Sequence, residues 1–327
     1  MLLSAMLFIV GLFLLAYGSD RLVFSAAVLS RMLGISPLVI GGVIIGLGTS
    51  LPEIILSFSA SQQGLRELAV GLALGSNIIN VLLILGIALV LRPLSLHSAL
   101  LRHELPLMLL VTVLAGLALI NHQLTVWDGL ALLFVATLYL YGMFRLTQHT
   151  SSTVPDQLTQ EQLSALPDQH ISFAVALLWL GVALILLPVA THMIVDNALV
   201  VANFLGLSQR VIGLLFLSIG TSLPELATVV VGMTRGQQHL AIGNLVGAQI
   251  YNLAIVLGIP AIFNPGAISE KAFNHDFWLV FISSSLLTLL CLKQNKVNGR
   301  IMGIILLTGF LGWALWLCCP LKLDMTS

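Results

Sequence analysis

Apolar runs recur along almost the whole of this chain, each close to the ~20 residues that an α-helix needs to cross a hydrocarbon core of about 30 Å. That spacing, with 58% hydrophobic and only 8% charged residues, is far from the roughly 25% charged residues of an ordinary soluble domain. The chain therefore reads as an all-helical integral membrane protein. Helices are expected over residues 2–30, 36–61, 67–91, 104–120, 126–145, 172–203, 208–232, 239–263, 276–293 and 301–319, ten in all.

The first and sixth of these are longer than a perpendicular crossing requires. Each carries polar residues in its second half, Asp20 and Arg21 in one and His192, Asp196 and Asn197 in the other, so tilt or protein contact is implied. No basic n-region precedes the first apolar run and no cleavage motif follows it, so the first helix is expected to stay in the protein. Cys291, Cys318 and Cys319 have no metal-ligand spacing and read as small buried hydrophobes. Basic residues near helix ends set the orientation. Arg31, Arg92, Arg102, Arg145, Arg235, Lys293, Lys296 and Arg300 fall on the side reached after the first helix, and Arg66, Arg210, Lys271 and Lys322 on the other. Eight against four predicts both termini outside, periplasmic if the membrane is a bacterial inner membrane. A net charge of zero gives no sign of nucleic acid; the expected partners are the lipid bilayer and inorganic cations, and no cofactor is called for.

The second half of the chain repeats the first. Sliding by 172 residues aligns Gly34–Pro93 with Gly206–Pro265 without a gap, and the stretch GTSLPE, ending at Glu53 and at Glu225, is identical in both. The register continues to His103 and Glu104, which meet His275 and Asp276. The unit is about five helices long: 1–146 and 172–327, joined by a polar cytoplasmic linker, 147–171, in which Thr159 and Gln162 have capping-box spacing. Five crossings are an odd number, so the second copy enters the membrane upside down. Inverted repeats of this kind build secondary transporters, with the substrate site near the midplane between the copies and discontinuous helices around it.

An ionisable side chain deep in a membrane helix costs on the order of 2.5 to 3.5 kcal/mol, so Glu53 and Glu225 need a cause. Pairing with Arg or Lys is the bland explanation, yet the candidate cations, Arg66, Arg210 and Arg235, lie at helix ends. Pro52 and Pro224 withhold the N–H that the carbonyls of Gly48 and Gly220 would accept, and irregular backbone at this depth is tolerated only where it lines a cavity. The next helix of each copy supplies more oxygen, Ser76, Asn77 and Asn80 in GSNIIN and Gln249 and Asn252 in GAQIYN. Ser76 and Asn80 share a helical face. Gly71 and Gly75, with Gly243 and Gly247, give small-xxx-small spacing for close helix approach. Carboxylates, carbonyls, hydroxyls and amides without sulfur or imidazole make a hard-cation site that suits Ca2+ better than Mg2+ or a transition metal. His192 reads as packing or a local hydrogen bond.

The paired GTSLPE stretches, each followed by a GSNxxN-like stretch, resemble the alpha-repeats of the sodium/calcium exchanger family, within the cation/calcium antiporter superfamily. The resemblance covers nearly the whole chain and is similar in size to bacterial inner-membrane members. It implies ten helices in inverted halves, alternating access, and sliding of the first and sixth helices as a gating pair. Carried over by position, it puts ion ligands on Thr49, Ser50, Glu53, Ser76 and Asn80 and on Thr221, Ser222, Glu225 and Asn252, with Glu53 and Glu225 as the calcium carboxylates.

Two positions depart from that pattern. Asn252 stands where sodium-coupled members often have an acid, and Ala248 where a serine is usual. With two formal charges in the site, one Ca2+ is balanced by two Na+ or by two protons, which predicts coupling closer to electroneutral than three Na+ would give. Exchange of Ca2+ for Na+ is the expected activity. Exchange of Ca2+ or another cation for H+ is the alternative, ahead of a cation channel, which would have no need of a reversed repeat. The chain has neither HExxH nor GxSxG, so no enzyme is expected.

Overall fold

The computed structural model describes residues 2–35, 37–92, 101–152, 172–204, 211–292 and 299–318. In the first half, α1 (Leu2–Leu33) is followed by α2 (Gly41–Thr49) and α3 (Leu51–Gln62), a pair bent by 45° at Ser50. Then come α4 (Arg66–Leu91), α5 (Leu101–Leu119) and α6 (Val126–Ser152). The second half runs α7 (Phe173–Phe204), α8 (Ile212–Thr221) and α9 (Leu223–Thr234), again bent by 45°, then α10 (Gln238–Phe263), α11 (Ala272–Leu292) and α12 (Gly299–Cys318). The bounds of α3 and α4 reappear in α9 and α10 at the 172-residue offset of the sequence repeat.

Among the described residues seven helices are long and apolar enough to cross a membrane, and the two bent pairs bring this to nine. The apolar part of α5, Glu104–Leu119, is shorter. Helix α6 runs six residues beyond 146, the expected end of the first half, and the linker's expected cap at Thr159 and Gln162 lies outside the described residues. Among the described residues, the one departure from helix as regular structure is a two-residue antiparallel pairing of Gln123–Leu124 with Gly266–Ala267.

Helices α4 and α10 form the centre, with 78% and 89% of their spans buried against 22% for α12. Large apolar side chains such as Trp127, Ile185 and Leu315 cover the outside, as lipid contact requires. The two halves interlock: α10 packs on α2, and α4 packs on α8. Glycine makes this possible. A Cβ on Gly247 would meet the backbone of Gly42, with two of its carbons at 2.9 Å, and one on Gly75 would come within 2.7 Å of the Leu214 carbonyl carbon. The close approach expected of Gly75 and Gly247 is therefore made, in each case onto the opposite half. Helices α1 and α7 lie along one another and share a separate apolar core that includes Leu22, Ala26, Ala183 and Leu187. The protein contact expected of these long helices is thus largely with each other.

Wider, i→i+5 turns interrupt the central helices at Gly41–Ile45, Asn80–Leu85, Ile212–Leu217 and Asn252–Val256. Such turns loosen the backbone ladder and tend to gather at functional sites. The turns joining α3 to α4 and α9 to α10 close on Gly64 and Gly236, both at φ +78°, a left-handed conformation that costs glycine little. At the Gly64 end, Arg66 donates to the carbonyls of Asn264, Pro265 and Ala267, and Glu67 accepts the Ser269 N–H at 2.6 Å. The α3–α4 turn and the loop after α10 therefore share one end of the molecule, as the sidedness of Arg66 and Lys271 requires.

Candidate cation-binding site

Proline at the start of α3 and of α9 allows the preceding helix to stop and a new one to begin within the bilayer depth. Pro52 and Pro224 occupy the first turn, and Ser50 and Ser222 take the same bent conformation, φ −81° with ψ near zero. Glu53 and Glu225 then fall in the first turn of their helices, where the N-terminal end of the helix dipole favours negative charge. Both side chains are fully buried.

The two copies meet reciprocally at this point. Ser50 donates to Glu225 Oε1 at 3.2 Å, and Ser222 donates to Glu53 Oε1 at 3.3 Å. The Thr221 hydroxyl also faces Glu53, the Thr49 hydroxyl faces Glu225, and the two carboxylates are close enough for their charges to act on one another. Each uses one oxygen in this way; Glu53 Oε2 and Glu225 Oε2 are buried with no hydrogen-bond partner among the described residues. Neither forms an ion pair with a described residue, which removes the bland explanation for them. Ion pairs join Asp20 to Arg21 and to Arg235, which caps the far end of the helix that Glu225 begins.

Ser76, Asn80 and Asn252 are buried on α4 and α10. The Ser76 hydroxyl and both amide atoms of Asn80 and of Asn252 lack a partner among the described residues. Leaving such groups unpaired in a dry core costs about 1–3 kcal/mol each, so the set is organised for something other than protein hydrogen bonding. Asn80 and Asn252 open the wide turns of their helices. Asn77 and Gln249 have a different use: the amide of each donates to the other's backbone carbonyl, at 3.3 and 2.9 Å, fastening α4 to α10. Among the described residues no three His, Cys, Asp or Glu side chains are grouped so that they could hold a metal ion. The His192 side chain lies outside them.

Sequence reasoning missed three residues here. Asn244 accepts a hydrogen bond from Thr49 at 3.0 Å, a role with no counterpart in the other copy, where Leu72 stands. Ser57, one turn past Glu53, donates to the Val256 carbonyl at 2.7 Å, and Thr228 is buried with its hydroxyl unpartnered. All three are polar residues in apolar spans, a signal present in the sequence but masked by the search for residues matched between the copies.

The family model for the sodium/calcium exchanger protein matches residues 3–145 and 175–319. The chain belongs to the sodium/calcium exchanger family. It is 50% identical over 313 residues to the inner membrane protein YrbG of Escherichia coli (strain K12), covering 96% of each chain. It is 26% identical to the sodium/calcium exchanger MaX1 of Methanosarcina acetivorans, over 92% of this chain and 95% of that one. Among solved structures, the sodium-calcium exchanger NCX_Mj soaked with 2.5 mM Na+ and 0.1 mM Sr2+ superimposes with a TM-score of 0.78 at 28% identity, covering 95% of this chain and 97% of that chain. At the meeting of the two GTSLPE bends each half presents a buried carboxylate to the other.

Proposed function

We propose that the chain is a secondary active antiporter that exchanges Ca2+ for Na+ across the membrane by alternating access. The observation that carries this reading is the reciprocal pair Ser50 to Glu225 and Ser222 to Glu53, which joins two buried carboxylates across the repeat and leaves one oxygen on each open. A divalent ion supplies the positive charge this pair lacks, and hydroxyl and amide oxygens complete the 6 to 8 ligands that Ca2+ prefers. Glu53 and Glu225 are the charged ligands, with Thr49, Ser50, Ser76 and Asn80 from the first half and Thr221, Ser222 and Asn252 from the second. The halves 1–146 and 172–327 act as inverted units about this site, α1 and α7 slide together to expose it to either side, and 147–171 is cytoplasmic with both termini periplasmic in a bacterial inner membrane.

Asn252 and Ala248 favour a second reading, exchange of Ca2+ for H+. Neither residue carries the acid or hydroxyl that would help hold a third Na+, and the two carboxylates of the site can be balanced by two protons as readily as by two sodium ions. Radiolabelled calcium uptake into inverted vesicles, driven separately by a sodium gradient and by a pH gradient, separates the two. Uptake against a calcium gradient under either drive supports antiport; equilibration alone under both indicates a channel. Asn252→Asp should move the coupling toward sodium.

A further inference from the structure

A third buried carboxylate stands apart from the pair just described. Glu104 on α5 is fully buried, and neither of its oxygens has a hydrogen-bond partner among the described residues. Tyr139 on α6 and Tyr251 on α10 are equally buried, with rings 5.7 Å apart in an edge-to-face contact, and both hydroxyls are unpartnered too. The Glu104 charge acts on both tyrosines. Gly42 on α2 completes the enclosure. From the point a Cβ would occupy on Gly42, Tyr139 Oη is 2.8 Å away, the Gly243 carbonyl oxygen 3.4 Å and Glu104 Oε1 3.8 Å. Three oxygens from three helices thus converge on a space that exists because residue 42 has no side chain.

We propose that this cradle is a second cation site, taking one Na+ between Glu104, Tyr139 Oη, Tyr251 Oη and the Gly243 carbonyl. A single carboxylate balances a single charge, hydroxyl and carbonyl oxygens suit a hard ion, and the confined space favours a small one. The tyrosine hydroxyls could have satisfied Glu104 directly, yet neither hydrogen-bonds to it. The feature occurs once. At the 172-residue offset the acid recurs as Asp276 and the glycine carbonyl as Gly71, but Gly42 and Tyr251 are matched by Leu214 and Ile79, so neither the space at residue 42 nor the Tyr251 hydroxyl recurs. The site stands on its own residues and does not depend on which ions the Glu53–Glu225 pair carries.

The test uses the full-length protein in detergent with Glu53→Gln and Glu225→Gln introduced together, so that the first site cannot report. Thermal unfolding is followed as NaCl replaces choline chloride at constant ionic strength, with KCl as a second arm. A sodium-specific rise in melting temperature is expected. Glu104→Gln in that background should abolish the rise. Tyr139→Phe, which removes one oxygen and keeps the ring packing, should raise the half-saturating Na+ concentration roughly tenfold. If the double variant does not fold, the same titration on the unmodified chain and on Glu104→Gln alone must show a two-component sodium response that loses its second component in the variant. No sodium response, a response equal in K+, or one that survives Glu104→Gln overturns the proposal; a proton on Glu104 in place of the metal ion gives the first of these results.

Discussion

Replacing Gly247 with alanine is the sharpest probe of how the halves are held together. The added methyl would lie 2.9 Å from both the Cα and the carbonyl carbon of Gly42, against the 3.5–4.0 Å at which carbon atoms rest in contact. Both neighbours are backbone, so no rotamer change relieves the clash. Helix α10 must retreat from α2 by at least about 0.6 Å, an overpacking that costs typically ~1–3 kcal/mol. The movement also reaches the site, because α10 carries Asn244, the acceptor for Thr49, and Asn252. A shift of that size exceeds the ~0.5 Å within which a binding constellation must be held. Gly247→Ala should therefore lower the unfolding temperature in detergent and reduce calcium uptake in proteoliposomes, while Gly309→Ala, where a Cβ meets nothing within 4 Å, should match or exceed the unmodified protein in stability. A Gly247→Ala protein that melts and transports normally would refute the interlocked packing.

Ser50→Ala and Ser222→Ala each remove the hydroxyl that one half donates to the other half's carboxylate; hydrogen bonds to charged groups are worth about 1.5–3 kcal/mol, so each should weaken calcium affinity roughly ten- to a hundredfold in an equilibrium titration, and by similar amounts given the reciprocal geometry. Arg235→Gln frees Asp20 on α1 from the end of α9. Because both side chains are partly exposed, stability should change by less than about 1 kcal/mol. If α1 slides in the transport cycle as proposed, the turnover rate should change more than the apparent calcium affinity, since the contact ties α1 to the end of α9.

Much of this was legible in the sequence because polar residues inside apolar spans have few innocent explanations. The offset of 172 residues, the bends at GTSLPE and the buried Glu53 and Glu225 all follow from that contrast. What a linear sequence does not contain is which helix each glycine meets. Gly75 and Gly247 announce a close approach, but only the fold shows that each approaches the opposite half, which is why Ser50 reaches Glu225 instead of its neighbour Glu53. Asn244 and Tyr251 were hidden for a related reason: their matched positions hold Leu72 and Ile79, and a reading built on matched positions discounts them. The wide turns that open at Asn80 and Asn252, NVLLIL and NLAIV, contain neither glycine nor proline, so no local residue announces them.

The central claim is that Glu53 and Glu225 together hold one divalent ion between the two halves. Calcium binding measured by calorimetry on the purified protein, alongside Glu53→Gln, Glu225→Gln and the double variant, tests it most directly. One Ca2+ per chain is expected for the unmodified protein, and binding should be abolished by either single substitution, with the double variant no worse than the singles. Independent, additive losses from the two substitutions, or two calcium ions per chain of which each substitution removes one, would contradict a shared site.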